Sequence, residues 1–218
     1  MTNIELERVL PSDIEKRSFE IIGEELSAQG RQLEPENELV IKRAIHTTAD
    51  FEYADNLVFS PWAVRKGMEA LKKGAVIITD TNMGLSGVNK KRLSALGGEA
   101  FCYMADEDVA HLAASHGTTR AVASMEKAAA VYGAGGRPVI FAIGNAPTAL
   151  VRLYELIRDG ILSPALVIGA PVGFVNVVQS KELILTLSDT PYIVARGRKG
   201  GSNVAAAICN ALLYQIPV

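Results

Sequence analysis

The chain has 218 residues, a hydrophobic fraction of 49% and a charged fraction of 21%, which together fit one globular α/β domain spanning 1–218. The formal net charge of −2 argues against a nucleic-acid partner, because binding to a phosphate backbone needs a clustered excess of Lys and Arg. Any anionic ligand must therefore be held by a local basic pocket.

Cysteine content and apolar segments bear on the compartment. Cys102 and Cys209 are the only cysteines and no Cys-x-x-Cys pair occurs, so neither a disulfide framework nor a structural zinc site is expected. The first residues are charged, unlike a secretory signal. The most apolar stretch, 164–178, is interrupted by glycine and proline and is too short to span a bilayer. We therefore expect a cytoplasmic protein without membrane association.

Three helices are predicted before the first strand, over 11–28, 35–45 and 61–73, from their apolar spacing and their start and stop residues. Five apolar runs then lack polar alternation, which is typical of strands buried on both faces of a parallel sheet. These runs are 75–79, 100–104, 138–143, 165–169 and 192–195. Helical patterns alternate with them, at 90–96, 120–132, 148–159, 176–187 and 204–215. The alternation predicts a three-layer doubly wound α/β fold with a mainly parallel five-stranded sheet, helices on both faces and an N-terminal helical segment.

Ligands of an open parallel sheet bind beyond the carboxyl ends of its strands, and four of the five ends here are small, glycine-containing and polar. They include TDTNMG at 79–84 and GNAP at 144–147, where small residues let the backbone approach a bulky ligand. RGRKGGSN at 196–203 places three cations and a double glycine ahead of a helix, and GTTR at 117–120 opens another helix. Both segments are suited to binding an anion. Any one of these loops could be an ordinary βα turn with solvated charges, whereas several at one sheet edge favour a site. A nucleotide is disfavoured, because no Gly-x-Gly-x-x-Gly pattern follows the first strand and no Walker A pattern occurs.

His46 lies at the end of the second predicted helix, among hydroxyl, carboxylate and aromatic residues that could tune an imidazole for acid–base chemistry. A metal site would need further ligands, of which only Asp50 and Glu52 are close in sequence. His111 and His116 are five residues apart and so fall on different faces of a helix. A lone histidine is more often structural than catalytic. The residues alone therefore indicate an α/β enzyme with an anion-binding edge and one candidate acid–base histidine.

Longer motifs resemble a known family, the precorrin-8X and cobalt-precorrin-8 methylmutases of corrin biosynthesis. The matching segments are RSFEII, RAIHTTADFEY, FSPWAV, TDTNMG, GTTRA, AIGNAPTAL, ALVIGAPVGFVNVVQSKE and YIVARGRKGGSNVAAA. They run from about residue 14 to near the C-terminus. GNAPTAL, G-x-PVGFV-x-x-x-x-SK and RGR-x-GGS, found in that order, make the resemblance specific.

The resemblance implies an isomerase that needs no redox or nucleotide cofactor and no metal ligands from the protein. Its reaction moves a methyl group from C-11 to C-12 of ring C in a carboxylated tetrapyrrole, converting cobalt-precorrin-8 to cobyrinate or precorrin-8X to hydrogenobyrinate. The family's catalytic histidine falls on His46, as proton donor to the macrocycle. Its substrate contacts fall on Ser18, Arg43 and Arg120. We extend that set by inference to residues of the strand-end loops: Thr81, Asn82, Met83, Asn145, Arg196 and Lys199.

The resemblance also implies a homodimer with the site near the interface, and a tightly bound corrin product. After the histidine, this chain has the polar segment TTADFEY, where some members have a smaller and less polar sequence. We take this difference as favouring the cobalt-containing substrate. Two alternatives remain open. One is an α/β enzyme that uses His46 on a smaller anionic metabolite, and the other is a non-catalytic tetrapyrrole carrier that could dispense with His46.

Overall fold

A six-stranded sheet forms the centre of the computed structural model, which describes residues 6–217. The strand order is β1-β6-β5-β4-β2-β3, and every neighbouring pair is parallel except β1 and β6. The strands are β1 (Leu57–Phe59), β2 (Val76–Thr79), β3 (Glu99–Phe101), β4 (Val139–Ile143), β5 (Leu166–Gly169) and β6 (Tyr192–Ala195).

Helices cover both faces of the sheet, so the predicted three-layer α/β architecture is confirmed. A one-turn 3-10 helix, Pro11–Asp13, leads into the first α-helix. The helices are α1 (Ile14–Ala28), α2 (Glu38–Thr48), α3 (Tyr53–Asn56), α4 (Ala63–Lys72), α5 (Asn82–Gly87), α6 (Lys90–Ala95), α7 (Glu107–Ser115), α8 (Arg120–Tyr132), α9 (Pro147–Arg158), α10 (Val177–Leu185) and α11 (Ser202–Tyr214).

The two helical layers bury separate hydrophobic cores. Helices α4, α5, α6 and α11 pack on one face, with α2 against α11 and α1 against α2. Helices α8, α9 and α10 cover the other face, and α7 packs on α8. Strand β4, with the sequence VIFAI, is buried along its whole length, because an internal parallel strand meets a helical layer on each side.

The prediction of five strands is wrong by one, since β1 forms a sixth strand antiparallel to β6 at the edge of the sheet. It has three residues between two helices, too few for a period to stand out in the sequence. Three short helices, α3, α5 and α7, were also absent from the prediction. The predicted domain covers 1–218, and its residues 1–5 and 218 lie outside the described residues.

The strand order places a topological switch point between β2 and β4. The chain passes from β2 outward to β3 and then returns across β2 to reach β4. Connections therefore leave these two neighbours in opposite directions and open a crevice at their carboxyl ends, where ligands of such sheets bind. The residues that follow β2 and β4 there include Asp80, Thr81, Gly144 and Asn145. Among residues 6–217, no helix is long and apolar enough to cross a membrane.

Candidate active site

Asp80 bridges the two strand ends at the switch point. Its side chain is buried, and its carboxylate accepts backbone N–H bonds from Gly144, Asn145 and Ala146 at 2.8, 2.8 and 2.6 Å. Burial raises the pKa of Asp80, and the three amides oppose that rise. The loop after β4 is thereby fixed to the end of β2. Asp80 lies inside TDTNMG but was not among the predicted site residues.

Thr81 fixes the start of α5 and its contact with α11. Its hydroxyl accepts from the Gly84 amide at 2.9 Å and lies 2.7 Å from the Ser202 hydroxyl. Gly144 is required on the other side of this contact, because a Cβ there would lie 2.5 Å from the Ser202 Cα. Asn82 and Met83 begin α5 with exposed side chains. The structure thus brings the predicted Thr81, Asn82, Met83 and Asn145 together beside the N-terminus of α11.

His46 lies exposed in the last turn of α2 and lines a cavity of about 260 Å³ between α2, α5 and α11. Nine residues form this cavity: Arg43, His46, Thr47, Gly87, Asn203, Ala206, Ala207, Asn210 and Tyr214. The prediction missed the polar side chains that α11 contributes. Asn203 belongs to the RGRKGGSN motif, so a signal for it existed. Asn210 and Tyr214 lie in an apolar helix with no such signal.

Arg43 is packed between two aromatic rings beside the histidine. Its guanidinium carbon lies 4.8 Å from the Phe19 ring centre and 4.9 Å from that of Tyr214, a cation–π arrangement. Glu15 accepts from both terminal nitrogens at 2.7 and 2.9 Å, and Arg43 holds the pKa of Glu15 below its ordinary value. The Arg43 Nε is buried without a hydrogen-bond partner in the described residues.

Phe19 connects this cluster to His46. The two rings meet edge to face, with centres 5.6 Å apart and planes at 81°. Ser18, the predicted contact next to Phe19, is half-buried and donates to the Ile14 carbonyl at 2.8 Å. Its hydroxyl oxygen can still accept a bond. The first two helices thus place Ser18, Arg43 and His46 at one end of α2.

The loop after β6 places two of the predicted cations against acidic side chains. Arg196 donates to both carboxylate oxygens of Glu182 at 2.8 and 2.9 Å. The Lys199 ammonium lies 2.5 Å from Asp50 and 2.7 Å from Glu52. These bonds lower the pKa of Asp50 and of Glu182, and raise that of Lys199. Neither cation is therefore free to bind an anion unless it exchanges partners.

Arg120 approaches the strand edge from the other face of the sheet. It is exposed at the first position of α8, after Thr119 caps that helix by accepting from the Val122 amide at 3.2 Å. Within residues 6–217 it takes part in no ion pair of 4.0 Å or less. The structure does not bring Arg120 into the cavity that contains His46, which opens on the side of α2 and α11.

Similarity to known proteins agrees with the motifs. The family model for Precorrin-8X methylmutase matches residues 13–215. Cobalt-precorrin-8 methylmutases of Leptospira interrogans and Salmonella typhimurium are 44% and 46% identical over 209 residues, covering 94% of this chain and 93% and 96% of the relatives. The Precorrin-8X methylmutase of Pseudomonas aeruginosa is 38% identical over 200 residues, covering 91% of this chain and 93% of that relative.

A solved structure shows the same fold. The crystal structure of precorrin-8x methyl mutase from Thermus thermophilus superposes with a TM-score of 0.83 at 40% identity, covering 93% of this chain and 95% of that chain. Both the matched family model and relatives above 30% identity extend over nearly the whole chain. The chain therefore belongs to the precorrin-8X methylmutase family and is a methylmutase, an isomerase.

Proposed function

We propose that this isomerase moves the methyl group at C-11 of a precorrin-8 macrocycle to C-12, within cobalamin biosynthesis, with His46 as the proton donor. One observation carries the assignment of the acid: His46 is exposed in a polar cavity lined by Asn203, and the neighbouring Ser202 contacts Thr81 at the switch-point crevice. An exposed imidazole there can reach a macrocycle too large to enter a cavity of about 260 Å³. Family membership supplies the reaction class.

Protonation by His46 supplies part of the rate enhancement. A proton placed on the conjugated macrocycle near ring C draws electron density away from the bond to the migrating methyl group. The C-11 bond then breaks as the C-12 bond forms, and the proton returns, so that no net oxidation occurs. A positioned general acid contributes roughly 10²–10⁴-fold. The edge-to-face contact with Phe19 fixes the plane of the imidazole, and binding of the macrocycle in one geometry lowers the barrier further.

The carboxylate arms of such a macrocycle require cations and amides. We propose as its contacts the predicted residues other than Lys199, whose ammonium is bound by two carboxylates of the chain: Ser18, Arg43, Thr81, Asn82, Met83, Arg120, Asn145 and Arg196. Arg120 has no ion pair within residues 6–217 and can take a carboxylate directly. Arg43 and Arg196 would first release their acidic partners. The exposed Met83 side chain offers an apolar contact for the flat ring.

We propose cobalt-precorrin-8 as the preferred substrate. Three relatives named cobalt-precorrin-8 methylmutase are 44–46% identical to this chain, whereas two named precorrin-8X methylmutase are 38% and 41% identical. Three further relatives named for the cobalt substrate are 36–38% identical, so the proposal rests on the three at 44–46%. We also propose a cytoplasmic homodimer with the site near its interface and a tightly bound corrin product, as the resemblance of the motifs to the family implies.

The test is a stopped absorbance assay of the purified protein with cobalt-precorrin-8 and, separately, with metal-free precorrin-8X. We expect conversion of both by the wild type, faster with the cobalt form, and a loss of about 10²–10⁴-fold in His46→Ala. His111→Ala is the matched control, because His111 is exposed on α7. It should convert at the wild-type rate.

Each other outcome selects a different function. Pigment binding without conversion by the wild type would identify a carrier. No spectral change with either macrocycle would favour an enzyme of a smaller anionic metabolite. Full activity in His46→Ala would remove His46 from the mechanism while leaving the isomerase assignment in place.

A further inference from the structure

Lys181 is a buried lysine that no step of the proposed mechanism uses. It lies on α10 with a relative exposure of 0%. Its ammonium donates to the carbonyls of Gly197 and Lys199 at 2.8 and 2.7 Å. Within residues 6–217 no carboxylate pairs with it. Burial of an ammonium without a counter-ion is unfavourable, and burial lowers the pKa of Lys181 to about 8.

The two carbonyls that Lys181 binds belong to one loop, residues 196–201, which connects β6 to α11. Further backbone bonds hold the same loop: the Arg196 amide donates to Asn56 at 2.8 Å, and the Gly201 amide donates to Ala170 at 2.8 Å. Gly200 packs so closely against Ala170 that a Cβ would overlap its carbonyl oxygen. Lys181 and these backbone contacts together therefore fix the path of the loop and the start of α11.

The side chain of Lys199 leaves this loop towards the segment that follows His46. Its ammonium contacts the carboxylates of Asp50 and Glu52 at 2.5 and 2.7 Å. The same Asp50 accepts from the Glu52 amide at 3.0 Å, and the Asp50 amide donates to the Thr48 hydroxyl at 3.2 Å. Thr48 is the last residue of α2. The ion pairs thus reach the end of the helix on which His46 lies.

We infer that Lys181 and Lys199 are positioning residues of the methylmutase, which join the loop 196–201 to the segment 50–52 and so fix the end of α2 that bears His46. The name latch is used below for Lys181, Lys199, Asp50 and Glu52. The latch also sets the N-terminus of α11, which lines the other side of the His46 cavity through Asn203. In this arrangement Lys199 binds two carboxylates of the protein itself. To bind a substrate carboxylate, it would have to break both of these ion pairs.

This inference rests on the proposed function for its kinetic consequence, and its structural consequence can be measured separately. The sequence has three histidines, so the imidazole resonances of His46 can be assigned by NMR from the spectrum of His46→Ala. We expect Lys199→Met and the double variant Asp50→Asn/Glu52→Gln to shift the His46 resonances alike. Combining all three substitutions should add no further shift, because both changes break the same contact. Lys181→Met should shift the resonances in the same direction.

Kinetics separate a latch from a substrate contact. With the latch, Lys199→Met and Asp50→Asn/Glu52→Gln each lower kcat by on the order of 10- to 100-fold, as displacement of a catalytic group does, and KM changes little. If Lys199 binds a substrate carboxylate instead, Lys199→Met raises KM, whereas Asp50→Asn/Glu52→Gln frees the ammonium and lowers KM. Opposite effects of these two changes on KM would therefore overturn the inference.

Controls keep the two proposals distinguishable. Lys90→Met removes an exposed lysine at the start of α6 and should leave both the resonances and kcat unchanged. If Lys181→Met fails to fold, the Lys199 and Asp50/Glu52 variants still test whether the latch positions His46. If the wild type converts neither macrocycle, the proposed function fails, while the NMR comparison still tests the latch. Unshifted His46 resonances in Lys199→Met would overturn it.

Discussion

At the scale of single residues, Asp80 joins the loop after β2 to the loop after β4. An ionisable group is rarely buried unless hydrogen bonds satisfy it. Here each carboxylate oxygen accepts at least one amide hydrogen from the loop after β4. Those amides belong to Gly144, Asn145 and Ala146, whose small side chains leave the backbone accessible. The Asp80 side chain, which directly follows β2, thus binds the backbone amides that directly follow β4.

Asp80→Asn should destabilise the fold and disturb the site. Its amide group offers one acceptor oxygen and directs an NH₂ donor at a backbone N–H, so at least one buried donor loses its partner. We expect a loss of about 1–3 kcal/mol in the free energy of unfolding, measured by urea denaturation, together with a fall in kcat/KM. Asp189→Asn, at an exposed turn, is the control and should change neither. Equal stability of Asp80→Asn and the wild type would contradict a stabilising role for the bonds from Asp80 to the loop after β4.

Single residues also show where sequence reasoning stops. Thr81 and Asn145 could be predicted for the edge because each follows a recognisable apolar strand. Asp80 was passed over, since its partner amides are more than 60 positions away and nothing in chain order shows that β2 and β4 are neighbours. The acidic partners of Arg43 and Lys199 were missed for the same reason. A cation in a motif suggests anion binding, and only the fold shows that a carboxylate of the chain already occupies it.

At the scale of elements, the buried ammonium of Lys181 connects α10 to the loop before α11. Its pKa of about 8 in the folded protein lies below the ordinary value of 10.5. Between these two values the unfolded chain binds more protons than the folded one, so the stability of the folded state rises with pH. The contribution is complete above pH 10.5 and is lost as the pH falls through about 8.

Lys181→Met should therefore change the pH dependence of stability in a defined window. We expect the melting temperature of the wild type, relative to that of Lys181→Met, to increase as the pH rises from 8 towards 10.5. Tyr53 and Cys209, whose pKa values burial raises to about 12, are present in both proteins and cancel in the difference. Thermal denaturation at pH 7, 8, 9 and 10 measures it. A difference independent of pH would show that Lys181 titrates normally in the folded protein.

The elements themselves were largely predictable. Continuous apolar runs identified all five parallel strands, since burial on both faces removes polar residues from them. The exception is β1, which joins the sheet by antiparallel pairing with β6. Its three residues are too few for the sequence to indicate that pairing. The helix that carries His46 extends to Thr48, three residues beyond the predicted end, because Ala49 adopts the left-handed conformation and ends it there. That extension places His46 inside the last helical turn.

At the scale of the whole molecule, two cores share one sheet. Side chains of β4 alternate between them: Ile140 and Ala142 belong to the core under α11, and Val139, Phe141 and Ile143 belong to the core under α9. Because successive residues of a strand point to opposite faces, loss of one core withdraws support from the strand that serves the other. We therefore predict that the chain unfolds as one cooperative domain.

Leu212→Ala and Leu153→Ala test that prediction from opposite faces. Both side chains have a relative exposure of 0%, Leu212 in the core under α11 and Leu153 in the core under α9. Each substitution should lower the free energy of unfolding by about 2–5 kcal/mol and shift one shared transition in urea, with coincident fluorescence and circular dichroism curves. Leu39→Ala, at a position with 45% exposure, should change stability far less. If either core variant splits the unfolding curve into two transitions, the faces unfold separately, and His46 and Arg120 then lie on units that can move independently.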